Sequence, residues 1–348
     1  MESLLNENFK DISVKRYNLE MTGGEYKYID EMNPSEEERE RIRLENPTEI
    51  AVFLDSEGKV KGKVNLWHKR PDYENRRTSY IGNIEFENYS EETEKLFELL
   101  LSGLKEEGVE IIIGPLDGTT WNRYRYVVEK GERFPFLMEP WNDDNQVHLM
   151  EKIGFIPFSF YFSSIMENME NIQLLKKKRE KAERINKCTL YPEMRIETAE
   201  NKDLEMLLEE VYELTRKSFK NNFLYTPLEK EKFLKMYMAY SEKLVRKYFK
   251  LIYVGKELKG YLFGIPDYLE LKYKPAVETL ILKTIGVAPE YFNRGIGYIL
   301  IDEFVKDGAE DGYKNIIFAL MHEGNISRNI GNRLGRPFRR YALFKREL

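Results

Sequence analysis

The residues best typed and spaced for chemistry are Arg294-Gly295-Ile296-Gly297. They follow an apolar, β-rich run from Thr279 to Val287 and a breaker at Pro289. Behind them apolar residues fall at Ile299, Leu300, Phe304 and Val305, which is helical spacing. The order is strand, glycine-bearing loop, helix. Such a loop can turn successive backbone N–H groups toward an anion, and the helix N-terminus behind it adds a partial positive charge. The fitting guest is a phosphate or pyrophosphate. The plainer alternative is a crossover that uses its glycines only to turn; the strand, the Pro and the helix together favour the anion site.

Length and composition bound what can surround this stretch. The chain has 348 residues, long for one core, so two domains are expected. No apolar run approaches the length of a membrane helix, and the opening MESLLNENFKD lacks the basic-then-apolar pattern of a secretion leader. A soluble cytoplasmic protein is the expectation. One cysteine, Cys188, excludes a disulfide framework and a cysteine zinc site, and the three histidines show no ligand spacing, so no metal is expected. The net charge of −5 argues against a general nucleic-acid binder.

Two halves of the chain read alike. In the first, a hairpin (Glu49 to Leu54, Lys61 to His68) precedes a strand (Thr78 to Phe86), a helix (Glu91 to Glu107) and a strand (Val109 to Ile113). A short helix ending Gly154-Phe155 and a strand from Phe158 to Met166 follow. In the second, the hairpin is Lys250 to Val254 with Lys259 to Gly264, followed by Leu280 to Val287, a helix from Gly297 to Asp311, and Asn315 to Met321. A short helix to Leu334-Gly335 and a strand from Arg340 to Lys345 close it. The repeat predicts two copies of one unit, residues 1–167 and 190–348. Residues 168–189, highly charged with a sparse apolar stripe, read as a solvated connecting helix. Where the second copy has its glycine loop, the first has Asn88-Tyr89-Ser90-Glu91-Glu92, which sets carboxylates where an anion would lie.

The run Ala288 to Gly297, with Leu300 behind it, resembles the acyl-CoA pyrophosphate loop of the GNAT superfamily of N-acyltransferases. Gly295 and Gly297 match both glycine positions of its pattern, while Phe292 stands where that pattern has Arg or Gln. The resemblance implies an α+β fold: two tandem GNAT-like domains, each a mixed, mostly antiparallel sheet flanked by helices. It implies acetyl-CoA as cosubstrate, held at Ile285, Val287, Arg294, Gly295, Ile296, Gly297 and Tyr298. His322-Glu323-Gly324-Asn325-Ile326-Ser327 resembles the second CoA-contacting motif and adds Asn325, with Arg328 meeting phosphate or docking on protein. It also implies that the segment from Phe219 to Pro227 borders the acceptor.

Acyl transfer from a thioester to an amine needs a proton acceptor, a stabilised oxyanion and a protonated thiolate. Glu278 and Glu323, at strand ends, are candidate bases or anchors for the acceptor's ammonium. The Tyr that usually precedes Leu-Gly in the motif is absent, since Gly331 and Asn332 stand there, and Tyr341 is the nearest substitute in sequence. Lys283 either faces solvent or lines a cleft. The reaction implied is acetyl transfer to a small-molecule amine or peptide. The rivals are a Fem-like aminoacyl transferase and a non-catalytic acyl-CoA sensor.

Overall fold

The structure, a computed structural model, describes residues 12–19, 35–189, 194–239 and 241–348. The expected start of the second copy at residue 190 lies outside the described residues. The elements begin with β1 (Ser13–Asn18), α1 (Glu36–Glu45), β2 (Glu49–Leu54), β3 (Val60–Trp67), β4 (Thr78–Phe86), α2 (Glu91–Glu106) and β5 (Ile111–Gly114). There follow β6 (Tyr126–Glu129), α3 (Asp144–Lys152), β7 (Ile156–Met166), α4 (Ile172–Thr189), β8 (Met194–Thr198), α5 (Leu204–Ser218) and α6 (Lys230–Met238). The chain ends with β9 (Phe249–Val254), β10 (Glu257–Pro266), β11 (Thr279–Val287), α7 (Ile296–Glu310), β12 (Asn315–His322), α8 (Ile326–Leu334) and β13 (Arg336–Glu347).

Local chemistry sets many of these boundaries. Ser35 and Asp203 cap α1 and α5 by accepting the N–H of Glu38 and Met206, and Asp143 with Gln146 forms a reciprocal cap on α3. In the β2–β3 turn the Asp55 carboxylate accepts from the N–H of Glu57 at 3.0 Å and of Lys59 at 2.9 Å.

The chain divides into two compact units. Unit 1 takes the described residues up to Val128, then Pro140–Phe160 and Tyr341–Leu348; unit 2 takes Glu129–Glu139 and Tyr161–Arg340. In unit 1 the strands run β1-β2-β3-β4-β5-β13, antiparallel except for β4 beside β5. In unit 2 the order is β7-β12-β11-β10-β9-β8, antiparallel except for β11 beside β12. Both units therefore follow one plan, with a mixed, mostly antiparallel sheet and flanking helices.

The units depart from boundaries drawn after residues 167 and 189. β7, expected to close the first copy, gives Tyr161–Met166 to unit 2, where they pair with β12 between Ile316 and His322. β13, expected to close the second, gives Phe344–Glu347 to unit 1, paired with Ile111–Gly114 of β5. Each sheet is closed by the strand that chain order assigns to the other. Glu129–Glu139 also leaves the first half for unit 2, because Phe136 is buried there among Ile165, Ile265, Ile281, Ile317 and Ala319. The Arg339 guanidinium and the Glu139 carboxylate, 2.5 Å apart and fully buried, pin the same excursion.

Helix packing follows sequence periodicity. On α2, Leu96, Phe97, Leu100, Leu101 and Leu104 are buried in unit 1's core, whereas Leu99 is 48% exposed. Each such side chain contributes about 1.5–3 kcal/mol on leaving water. The connecting helix α4 is not solvated all round. Leu175 and Ala182 are buried, and Arg179 bonds Asp302 and Glu303 of α7 at 2.7 and 2.5 Å, so α4 is packed along α7. Among the described residues no helix is long and apolar enough to cross a membrane.

Candidate active site

Unit 2 holds a split between its two parallel strands. β11 pairs with β12 from Thr279–Leu282 to Asn315–Phe318, and there the pairing ends. Beyond it β11 follows β10 as far as Val287, while β12 follows β7 as far as His322. A register shift at Phe263/Gly264 on β10 and another between Phe318 and Met321 on β12 turn the strands apart. At the second shift Leu320 sits at φ 58° with its N–H donated to Ser163 Oγ at 3.1 Å. Lys283, Thr284 and Ile285, the first β11 residues past the parting, are half-buried.

The edge of β11 turned toward the split carries backbone groups that β10 does not use. Val287 donates its N–H away from β10, to Ser218 Oγ at 3.2 Å. Strand alternation sets the amide of Ile285 on the same edge. Ser218 ends α5, and Phe223 in the segment after it stacks on His322 with centroids 5.2 Å apart and planes 7° apart. Gly324 donates its N–H to His322 Nδ1 at 3.1 Å, and Tyr161 meets the imidazole edge-on. Phe223, in the segment from Phe219 to Pro227, thus lies against β12.

The glycine loop closes the end of β11. Gly295 caps α7 at φ 80° and ψ 8°, and its carbonyl accepts the N–H of Tyr298 and Ile299. Among the described residues the N–H groups of Asn293, Gly295, Ile296 and Gly297 take no backbone acceptor. They form a nest of donors at the start of a 15-residue helix, which is what an oxyanion of a phosphate needs. A Cβ at Gly297 would stand 3.5 Å from Ile285 Cδ1 and 3.6 Å from Ile330 Cδ1, so β11, the loop and α8 meet there. A Cβ at Gly295 would lie 2.5 Å from Ala182 Cβ, so α4 presses on the loop. Arg294 stands over the Tyr291 ring at 5.7 Å. Asn325 caps α8 with no side-chain cap bond, and the Arg328 guanidinium covers the Phe162 ring at 4.0 Å.

The three candidate catalytic residues are not gathered there. Glu278 precedes β11 at the end away from the loop, about 30 Å along the strand from Val287. Lys314 and Lys274 pair with its carboxyl and hold it below the usual range. Tyr341 belongs to unit 1, fully buried in β13, with the Arg125 guanidinium 5.9 Å from its ring. Strand β13 crosses from one unit to the other, and chain proximity to Leu334 gave no hint of that. Glu323 is exposed in the turn between β12 and α8. Sequence reasoning overlooked Ser218, His322 with Phe223, and the excursion Glu129–Glu139. For the excursion the signal was the run Phe134-Pro135-Phe136, apolar residues inside an otherwise polar loop. Among the described residues no group of three or more His, Cys, Asp or Glu is placed to hold a metal ion.

Unit 1 fills the equivalent split with its own chain. Its parallel pairing runs from Thr78–Tyr80 to Ile111–Ile113. Past it Leu116 donates its N–H to Ile81 O at 2.8 Å, and Asp117 Oδ1 accepts the Asn83 N–H at 2.7 Å. A Cβ at Gly82 would meet Asp117 Oδ1 at 2.4 Å, so only glycine admits this approach. Arg123 bonds both Asp117 and Asn83. The loop from Gly114 to Arg125 is the plug of this split, and Ser90 caps α2 where unit 2 has its glycines.

Residues 208–330, from α5 into α8, match the family described as acetyltransferase (GNAT) family. The matched stretch contains β11, the glycine loop and β12. The match lies within unit 2; unit 1 repeats the same strand plan, and both units are α+β. No curated protein sequence matches it. Among solved structures it is similar to a GCN5-related N-acetyltransferase of Sphaerobacter thermophilus, at 10% identity over 86% of this chain and 80% of that one, TM-score 0.45. It is also similar to a tandem GNAT protein from the clavulanic acid biosynthesis pathway, at 11% identity over 86% and 82%, TM-score 0.43. A third likeness is to L-PGS of Bacillus licheniformis, at 9% identity over 88% and 85%, TM-score 0.41. At these scores the likenesses say nothing of substrate.

Proposed function

We propose that the chain transfers an acetyl group from acetyl-CoA to the amine of an acceptor in the split of unit 2. The observation that carries this reading is the parting of β11 from β12 beside a loop with four N–H groups that, among the described residues, meet no backbone acceptor. The N–H groups of Asn293 to Gly297, with Arg294 and Tyr298 beside them, receive the pyrophosphate oxygens. Ile285 and Val287 offer the strand edge to an extended amide chain, and Ser218 is the group displaced from Val287 in doing so. Asn325 and Arg328 stand at the start of α8, which meets the loop through Ile330. Acetyl-CoA supplies the thioester carbonyl carbon: the amine nitrogen bonds to it, the C–S bond breaks, CoA leaves as the thiolate and takes up a proton to become the free thiol, and the nitrogen releases a proton. Glu323 is the remaining candidate to take that proton, through water.

Calorimetric titration of acetyl-CoA into the wild type and Gly297→Asp tests the reading. The aspartate fits the space at Gly297 yet sets a carboxylate in the nest, so affinity should fall about 100-fold or more with the thermal midpoint nearly unchanged. Absent binding by the wild type, or full binding by the variant, would sink it. A second reading, a sensor that binds acyl-CoA without turnover, is favoured by one fact: Tyr341 is buried in the other unit. Release of free thiol with an amine panel separates the two.

A further inference from the structure

We propose that the excursion Glu129–Glu139 is the acceptor-side wall of the split, and that its exposed side chains receive an amine carried on an uncharged apolar body. This rests on the acyl-transfer reading of the same split.

The excursion is fastened where β11 and β12 part. Lys283, the first β11 residue past the parallel pairing, donates its Nζ to Met138 O at 3.0 Å. Leu137 packs in the cluster that holds Ala319, the first β12 residue past that pairing, and Leu320. Its N–H is donated to Asp267 Oδ1 at 2.9 Å. The inner side is anchored more firmly still. Phe136 is 2% exposed, and Arg339 ties the turn by bonding Glu139, the Lys130 carbonyl and the Arg133 carbonyl. A segment pinned at both ends and in the middle acts as a wall, not as a flap.

The outer side is apolar and open. Phe134 is 65% exposed, Met138 44% and Tyr273 40%, and the Phe134 and Tyr273 rings lie 4.5 Å apart. A methionine beside a reactive split and an aromatic pair behind it gain by being covered with an apolar group. From Phe134, against Tyr273, to Met138, against Lys283, the backbone spans at most about 13 Å, less for the turn in which Glu139 donates its N–H to Phe136 O. An amine at the split whose ring reaches the aromatic pair therefore takes an alkyl spacer of no more than several carbons. Lys283 adds a chemical filter. Its ammonium disfavours a second positive charge nearby, which favours the neutral amine, the form that can attack. The class of acceptor is a primary amine joined by an alkyl spacer to an aromatic or aliphatic body.

The test titrates 4-phenylbutylamine, and ethanolamine as the amine without the body, into the full chain, with acetyl-CoA titrated in parallel. Proteins are the wild type, Phe134→Ser and Met138→Gln, both at exposed positions. The wild type should bind 4-phenylbutylamine on the order of tenfold more tightly than ethanolamine. Each variant should lose about five- to tenfold of that while keeping acetyl-CoA affinity. Equal binding of the two amines, or unchanged phenylbutylamine binding in both variants, would overturn the assignment. Wild type that binds acetyl-CoA but shows no preference for the apolar amine removes the wall and leaves the transfer reading. Wild type that binds the apolar amine at these residues but not acetyl-CoA keeps the wall and removes the transfer.

Discussion

Asp267 carries a carboxylate into a buried position, where it accepts the Leu137 N–H, and burial pushes it up to about 6. The sign of the consequence follows. A carboxyl whose folded value exceeds the ordinary 3.8 binds its proton more tightly when folded, so it adds stability as pH falls through about 6 toward 4. At pH 7 the charged form opposes folding by at most about 2–3 kcal/mol. Glu45 in unit 1, pushed up to about 7 by burial and by the charge of Asp117, acts in the same direction. Urea midpoints measured at pH 5 and 7 should therefore differ in favour of pH 5, and Asp267→Asn should shrink the difference. An undiminished difference in that variant would assign the effect to Glu45 and other groups. At this scale the sequence was readable where the chemistry is backbone chemistry. Gly295 and Gly297 mark the loop because only backbone N–H groups build it. Side chains such as Lys283, Ser218 and Phe223 acquire their roles from strands and segments far along the chain. Glu278 looked reactive only because Lys274 and Lys314, which neutralise it, are brought to it by folding.

Helix α4 illustrates how an element takes meaning from its neighbour. Its apolar stripe, Leu175 and Ala182 among many charges, is too sparse to announce burial, yet it packs along α7 with Arg179 bridging to Asp302 and Glu303. Burying one small residue suffices, because Gly295 opposite has no side chain. By contrast β2, β4 and α2 were legible nearly to the residue, since caps, turn residues and periodicity agree there. Gly295→Ala meets two obstacles: the left-handed φ, and Ala182 at 2.5 Å from the new Cβ. The clash is separable. Ala182→Gly should leave stability within about 1 kcal/mol, Gly295→Ala should lower it by roughly 2–4 kcal/mol, and the double variant should recover about half. Additive losses in chemical denaturation would mean that α4 does not bear on the loop.

The exchange of closing strands reaches the whole molecule. The repeat in the sequence counted two complete copies, because each half holds a full set of elements in the right order. Register pairs decide otherwise: Tyr161–Met166 pairs with β12, and Phe344–Glu347 with β5. No local pattern distinguishes a strand that closes its own sheet from one that closes another's, since both read as alternating apolar runs. The consequence is that residues 190–348, which look like a complete acyl-CoA domain, lack a sheet strand and the excursion. Phe136, Ile165 and Met166 are each 2% exposed or less, and removing them forfeits about 5–9 kcal/mol of apolar burial. Arg339 would also stay in its apolar site without Glu139, at a further cost of about 3–5 kcal/mol. Against a typical domain stability of about 5–15 kcal/mol, that fragment should not hold a native fold. Fragment 129–340, which contains every part of unit 2, should unfold more cooperatively, with a higher urea midpoint, than 190–348. A sharp transition for 190–348 with the full chain's acetyl-CoA affinity would show that unit 2 needs neither the exchanged strand nor the excursion.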